Sequence, residues 1–243
     1  MTRNRTSSMH VIVHLLAVAF VLASCADATN DLPTERDRVL GEMAAPDSAA
    51  RDTAQAVAPG DTAVVTHMLR VVTSKGDFTM GLYGLDAPKT VANAVGLVRR
   101  KFYDGILFHR VAQDFVIQAG DPKTRDASAR ATWGMNGQTA DGTPLPEELD
   151  AATPSSRAGY QPGVVAMARK QASGTGTSQF FVCLDRASIL PHQYTIFGRV
   201  IEGLDVVRAI GSVPVEPGPL SDTDGIPKTP VVIKSIRLLT AER

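Results

Sequence analysis

From Val64 onward, the sequence alternates between short runs of β-branched and aromatic residues and clusters of turn-forming residues. Runs of this kind predict β-strands, because branched and aromatic side chains fit a pleated, half-buried surface. Gly76, in the segment Ser74-Lys75-Gly76, predicts a hairpin between the first two strands. The predicted strands are Val64–Thr73, Asp77–Tyr83, Leu107–Val111, Phe115–Ala119, Val164–Ala168, Gln179–Leu184, Thr195–Ile201 and Val231–Leu239.

Two segments have helical periodicity instead. In Pro88–Lys101, the apolar residues Val91, Val95 and Val98 lie on one helical face, and basic residues close the segment, as the helix dipole favours. Gly203–Ile210 predicts a shorter helix. Strands that outnumber helices to this extent favour one mostly-β domain over residues 63–243, folded as a closed antiparallel barrel, because closure removes exposed strand edges.

Charge and cysteine content exclude several functional classes. The chain has 25 basic and 25 acidic residues, so it lacks the excess of positive charge that a broad nucleic-acid interface needs. Only two cysteines are present, Cys25 and Cys183, which excludes a disulfide framework and a multi-cysteine zinc site. Cys183 lies in an apolar strand and is predicted to be a buried small residue.

The first 24 residues have the features of an export signal. Arg3 and Arg5 precede an apolar run, Val11–Leu22, that is too short for a stable membrane span. The run ends in Leu22-Ala23-Ser24-Cys25, which resembles the lipobox of bacterial lipoproteins. The resemblance implies cleavage before Cys25, lipidation of that cysteine and anchorage to a membrane; the alternative is an ordinary secretory signal with an incidental cysteine. By resemblance to lipoprotein sorting in Gram-negative bacteria, Ala26 in place of aspartate favours the outer membrane, with the domain facing the periplasm.

Residues 25–62 are predicted to form a disordered, lipidated linker. This segment is rich in Ala, Asp, Thr and Pro, has no aromatic residue, and carries eight acids against three bases. It cannot bury enough apolar surface to offset its chain entropy.

Two stretches contain candidate functional residues. In Phe108–Asp121, strand alternation places Phe108 and Arg110 on one face and His109 on the other, and Phe115 returns toward Arg110 after a turn. An arginine beside an aromatic ring gives a fixed cation over an apolar floor; a surface ion pair for Arg110 is the alternative. His109 is expected to be structural rather than a general base.

The second stretch runs from Met167-Ala168-Arg169 to Ser178-Gln179-Phe180-Phe181. Alternation places Gln179 and Phe181 on one face, so that one phenylalanine enters the core and the other lines a groove. The intervening small residues, 173–177, are predicted to be a flexible loop, because no helix follows them as in a phosphate-binding loop. Trp133, in the insertion 122–162, is expected to pack that insertion onto the domain.

Together these stretches resemble the cyclophilin family of peptidyl-prolyl cis–trans isomerases, over about residues 66–240. The resemblance is carried by Phe108-His109-Arg110, Phe115, Gln118-Ala119-Gly120-Asp121, Met167-Ala168-Arg169, Ser178-Gln179-Phe180-Phe181 and Phe197-Gly198, and it is closest to the bacterial branch. It implies a mostly-β fold, a closed eight-stranded antiparallel barrel capped by two helices. It also implies an enzyme that needs no cofactor or metal.

The resemblance assigns roles to individual residues. Arg110 matches the catalytic arginine, and Gln118 matches the glutamine that binds the substrate backbone and braces that arginine. The other substrate-binding positions that it implies are Phe115, Val116, Ala168, Arg169, Gln179, Phe181, Leu190 and Tyr194.

Val116 and Tyr194 depart from the family pattern, and so does Ile189, which precedes Leu190. Val116 stands where methionine is usual and enlarges the proline pocket slightly. Tyr194 stands where many members have histidine. Ile189 replaces a tryptophan that binds cyclosporin in sensitive members, so tight cyclosporin binding is not expected.

The predicted function is a monomeric, membrane-tethered isomerase that acts on proline-containing segments of envelope proteins and binds no nucleic acid. One alternative is a non-catalytic proline-peptide binding module, or holdase, that uses the same groove. A hydrolase using Ser178 and His109 is a weaker alternative, because no hydrolase motif surrounds these residues.

Overall fold

A computed structural model of the chain describes residues 63–239; the predicted signal peptide, Cys25 and the linker lie outside this range. Ten antiparallel strands form one sheet, in the order β10-β1-β2-β7-β5-β6-β4-β3-β9-β8. The strands are β1 (His67–Thr73), β2 (Gly76–Leu82), β3 (Arg110–Ala112), β4 (Val116–Ala119), β5 (Val164–Met167), β6 (Phe180–Cys183), β7 (Ile196–Glu202), β8 (Val215–Ser221), β9 (Asp224–Pro227) and β10 (Ile233–Leu239).

The expectation of a closed eight-stranded barrel is wrong. The sheet has ten strands, and its order ends at β10 on one side and β8 on the other. An isolated bridge between Leu107 and Val232 joins β10 to the segment before β3, but one bridge is not a continuous ladder. The added strands β8 and β9 contain Pro217, Pro219 and Pro227, and proline cannot donate to a ladder. Proline-rich strands are therefore tolerated at a sheet edge, where β8 lies.

Both predicted helices are present, and a third short one was not predicted. They are α1 (Pro88–Arg99), α2 (Pro154–Ala158) and α3 (Leu204–Gly211). Val91, Val95 and Val98 of α1 are buried, which confirms the predicted face. No helix within residues 63–239 is both long and apolar enough to cross a membrane.

The N-terminus of α1 is capped from a distance. Ala87 stands at the N-cap and provides no side-chain hydrogen bond. The carboxylate of Glu148 instead accepts the backbone N–H groups of Lys89 and Thr90, at 2.9 and 2.8 Å. This contact attaches the 122–162 insertion to the helix and satisfies two N–H groups that have no partner within the helix.

The sheet separates two apolar clusters, because neighbouring residues of a strand face opposite sides. In β6, Phe180 and Val182 belong to the main core, while Phe181 and Cys183 belong to a second cluster. The alternation predicted for this strand is confirmed. Cys183 is fully buried, and burial raises the pKa of its thiol to about 12.

Candidate functional site

The second cluster forms an apolar wall from residues far apart in the sequence. Phe181 and Val116 are buried in it, and the ring of Phe181 meets that of Tyr194 edge to face at 5.4 Å. Phe115, Ala168, Leu190 and Tyr194 are partly buried and pack against the cluster. The structure thus brings together most of the predicted pocket residues; Ile189, next to Leu190, points away and is 81% exposed. We call this surface the aromatic wall: Phe115, Val116, Phe181, Leu190 and Tyr194.

Tyr160, which was not predicted as a site residue, packs in the same apolar cluster as the aromatic wall. Its hydroxyl donates to the carbonyl oxygen of Tyr194 at 2.9 Å and accepts the N–H of the same residue at 3.1 Å. Burial raises the pKa of the Tyr160 hydroxyl. No local pattern indicated this role, because the two tyrosines are 34 residues apart.

Arg110 is the first residue of β3, and an acidic partner holds its guanidinium. Nε donates to one carboxylate oxygen of Asp224 at 2.8 Å, and Nη2 donates to the other at 2.7 Å. The Arg110 side chain is 33% exposed and that of Asp224 is 12% exposed. Asp224 was not predicted as a site residue, because it lies 114 residues away in a Gly- and Pro-rich segment that contains no predicted strand.

Gln118 lies opposite Arg110 in the β3–β4 ladder, but its amide makes a different contact from the one expected. Its Nε2 donates to Oε1 of Gln179 at 2.9 Å, and Gln179 donates in turn to the carbonyl oxygens of Gly134 and Asn136. The expected bracing of the arginine by Gln118 is replaced by the carboxylate of Asp224. The two glutamines instead attach the 122–162 insertion to the sheet.

The side chain of Arg169 organises a loop. Its Nε and Nη2 donate to the backbone carbonyl and side-chain oxygens of Gln193, at 2.9 and 2.7 Å. Nη1 donates to carbonyl oxygens of the following loop, and the guanidinium carbon lies 5.8 Å from the centre of the Tyr194 ring. Arg169 therefore holds one member of the aromatic wall and is only 13% exposed.

His109 does not face away from Arg110, because β3 begins only at Arg110 and period-two alternation does not extend back to His109. Phe108 and Val111 share the main core, whereas His109 and Arg110 line the same cavity. The expected common face of Phe108 and Arg110 is wrong. His109 is 5% exposed, and neither ring nitrogen has a hydrogen-bond partner. Burial lowers its pKa to about 4, against the opposing attraction of Asp121.

Two cavities adjoin Gln118. The first, of about 500 Å³, lies between Arg110, Trp133 and the β8–β9 hairpin. The second, of about 430 Å³, lies between Gln118, Gln179 and the loop after Arg169. The Trp133 indole Nε1 donates to the carbonyl oxygens of Lys123 and Asp126, so these hydrogen bonds hold the insertion together internally, and the ring borders the first cavity.

The hydroxyl of Ser178 is not placed for nucleophilic chemistry. Ser178 is fully buried, and its Oγ donates to the carbonyl oxygen of Gly120 at 2.8 Å. Within residues 63–239 there is no group of three or more His, Cys, Asp or Glu side chains placed to hold a metal ion. The site instead offers a charged N–H donor, Arg110, in cross-strand register with Gln118, which in turn lies opposite Phe181 of the apolar wall.

Comparisons with known proteins agree on one family. A family model described as "Cyclophilin type peptidyl-prolyl cis-trans isomerase/CLD" matches residues 68–238. The peptidyl-prolyl cis-trans isomerase-like 1 of Neurospora crassa is 36% identical over 172 residues, which cover 71% of this chain and 94% of that protein. The peptidyl-prolyl cis-trans isomerase cyp18 of Streptomyces antibioticus is 36% identical over 175 residues, covering 69% and 95%.

Solved structures give the same result. A cyclophilin type peptidyl-prolyl cis-trans isomerase of Cryptosporidium parvum matches with a TM-score of 0.61 and 25% sequence identity, covering 72% of this chain and 99% of that one. A structure of that protein in the presence of the dipeptide Ala-Pro matches with a TM-score of 0.60 and 25% identity, covering 71% and 99%.

Proposed function

Since this chain belongs to the cyclophilin-type peptidyl-prolyl cis-trans isomerase family and is an isomerase enzyme, we propose that Arg110 drives its reaction, the rotation of X–Pro bonds in proteins of the cell envelope. The observation that carries the proposal is the placement of a charged guanidinium at a cavity that Gln118 also lines. Arg110 lies opposite Gln118 in the sheet, and Gln118 lies opposite Phe181 of the aromatic wall.

The rotational barrier of the X–Pro bond determines how much acceleration the enzyme must provide. Resonance stiffens the C–N bond of an X–Pro amide, so rotation faces about 18–20 kcal/mol and takes tens to hundreds of seconds without a catalyst. Turnover in milliseconds requires about 10⁴–10⁵-fold acceleration, which corresponds to about 5–7 kcal/mol. Because no covalent bond is broken, this stabilisation needs neither a nucleophile nor a proton transfer.

Arg110 supplies a donor where the twisted amide needs one. When the amide twists, the nitrogen lone pair leaves conjugation with the carbonyl group and becomes a hydrogen-bond acceptor. An arginine keeps its charge throughout the physiological pH range. A hydrogen bond that is stronger in the twisted state than in the planar state accelerates the rotation.

The aromatic wall binds the proline ring, and the polar groups bind the peptide backbone. The proline ring packs against Phe115, Val116 and Phe181, with Leu190 and Tyr194 closing the pocket. Excluding water strengthens the hydrogen bond from Arg110, because the local dielectric is lower. The backbone near Ala168 and the amides of Gln118 and Gln179 hold the peptide segment, so that only one side of the X–Pro bond rotates.

The location in the cell envelope rests on the N-terminal sequence. We assign Cys25 as a lipidated residue, residues 25–62 as a spacer, and the bacterial branch as the origin of the domain. Several acyl chains on one residue anchor a protein stably, whereas a single chain does not. Expression in a Gram-negative host tests the anchor: the wild-type chain should float with membranes, and Cys25→Ser should be released; equal flotation would overturn the assignment.

The catalytic proposal is tested by Arg110→Ala, with Arg70→Ala as a matched control. Arg70 is also paired with an aspartate, Asp77, but lies on β1 and is 59% exposed. NMR exchange on an X–Pro peptide should show at least a tenfold lower kcat/KM for Arg110→Ala and an unchanged value for Arg70→Ala. A tenfold loss corresponds to about 1.4 kcal/mol.

The same experiment separates the enzyme from the alternative of a binding module. A wild-type protein that binds the peptide without speeding its isomerisation would support the module or holdase. Wild-type turnover that Arg110→Ala leaves intact would remove Arg110 from the mechanism while keeping the enzyme.

A further inference from the structure

We infer that Asp224 is a positioning residue, which fixes the edge of the Arg110 guanidinium that faces the substrate. This inference rests on the proposed role of Arg110. It arises from a contact that joins two distant segments: both oxygens of one carboxylate bind two nitrogens of one guanidinium.

The backbone holds Asp224 in place. It is the first residue of β9 and lies opposite Ala112 in the β3–β9 ladder, while its neighbour Gly225 lies opposite Val111. One step earlier, the N–H of Gln113 donates to the carbonyl oxygen of Thr223 at 3.0 Å. Asp224 and Arg110 are thus connected to the same short strand, β3, and their relative position does not depend on a free loop.

The hairpin carrying Asp224 is packed without space for side chains at two positions. A Cβ atom on Gly225 would lie 1.8 Å from the carbonyl oxygen of Glu216, and one on Gly218 would lie 2.3 Å from that of Asp224. Only glycine permits strands to approach this closely. The backbones of β8 and β9 therefore lie close together next to Asp224, the residue that binds Arg110.

The geometry of the pair determines which donors stay free. A guanidinium is planar and has five N–H groups. Asp224 occupies the Nε–H and one N–H of Nη2, which fixes the plane and leaves both N–H groups of Nη1 and one of Nη2 for other partners. A flexible side chain that is already ordered loses less entropy when it meets its target. Asp224 should therefore raise the rate of rotation more than the affinity for the planar ground state.

The pair Arg70–Asp77, in which both nitrogens donate to one carboxylate oxygen, does not share this setting. The Arg70–Asp77 side chains are 59% and 37% exposed, whereas Asp224 is only 12% exposed and lines the cavity together with Arg110. Arg70–Asp77 consequently provides an internal control for an exposed Arg–Asp pair.

The test measures turnover and peptide affinity separately for Asp224→Ala and Asp224→Asn, with Asp77→Ala as control. We expect kcat to fall about tenfold in both Asp224 variants, with the dissociation constant of the X–Pro peptide changed less than twofold. The asparagine keeps the shape but offers one acceptor oxygen instead of two. Asp224→Glu restores a carboxylate and should recover part of the activity, whereas Asp77→Ala should match the wild type.

NMR of the wild-type protein gives a second readout that needs no variant of Asp224 to fold. The Nε–H of Arg110, assigned by its loss in Arg110→Lys, should exchange with solvent at least tenfold more slowly than that of Arg70. Equal exchange would overturn the inference, as would an unchanged or increased kcat in folded Asp224→Ala. If Arg110→Ala itself keeps full activity, the proposed function fails first, and the two failures are thereby distinguishable.

Discussion

Protonation of His109 should lower the stability of the folded domain in mild acid. The imidazole is 5% exposed and has no hydrogen-bond partner, so the structure favours its neutral form. Burial lowers the pKa to about 4 from the ordinary value of 6.5, although Asp121 attracts the charged form. Between pH 6.5 and pH 4, His109 is therefore protonated in the unfolded chain and neutral in the folded chain.

The sign and size of the effect follow from proton linkage. Because the folded pKa lies below the unfolded one, the contribution to stability is complete above pH 6.5 and is lost as the pH falls toward 4. The full shift corresponds to about 3 kcal/mol, at about 1.4 kcal/mol for each pKa unit. Between pH 7 and pH 4.5 the loss should be about 2 kcal/mol, a large fraction of the stability of an ordinary domain.

The assay is urea unfolding at pH 7 and pH 4.5 for the wild type and for His109→Gln. Other groups also titrate in this range, so the informative quantity is the difference between the two proteins. The wild type should lose about 2 kcal/mol more than the variant on acidification. An equal loss for both would show that His109 is accessible to protons in the folded state, and the reasoning from burial would be refuted.

Two further predictions concern distant contacts. Glu148→Ala should lower the free energy of unfolding by about 1–2 kcal/mol, because α1 then loses the carboxylate that caps Lys89 and Thr90; urea unfolding measures the change, and an unaltered value would contradict the capping role. Tyr160→Phe should lower the free energy of unfolding by about 1–3 kcal/mol, because the N–H and carbonyl of Tyr194 lose their partner. The same change should weaken X–Pro peptide binding. NMR titration with the peptide measures the affinity, and unchanged binding would show that the aromatic wall does not depend on Tyr160.

Local patterns predicted the elements that alternate regularly. Phe180 and Phe181 fall into different clusters, as the period of a strand requires, and the valines of α1 enter the core at helical spacing. The motif residues around Arg110 and Gln179 were sufficient to predict the family. These features depend on side-chain type and on spacing within one element, which the sequence contains in full.

Predictions from local patterns were wrong next to the start of a strand, and they missed strands that contain proline. His109 was placed on the wrong face because β3 starts one residue later, and period two has no meaning before a strand begins. Strands β8 and β9 were missed because their prolines and glycines are typical of loops. The prolines of β8 are tolerated because β8 lies at the edge of the sheet.

The sequence by itself determined the type of protein: a mostly-β domain of an isomerase family. Only the tertiary structure decided how the arginine is held, by the carboxylate of Asp224 rather than by the amide of Gln118, and which tyrosine supports the aromatic wall. The physical reason is distance along the chain. Hydrogen bonds between residues 114 or 34 positions apart leave no periodic trace, because they depend on contacts that only the complete fold establishes.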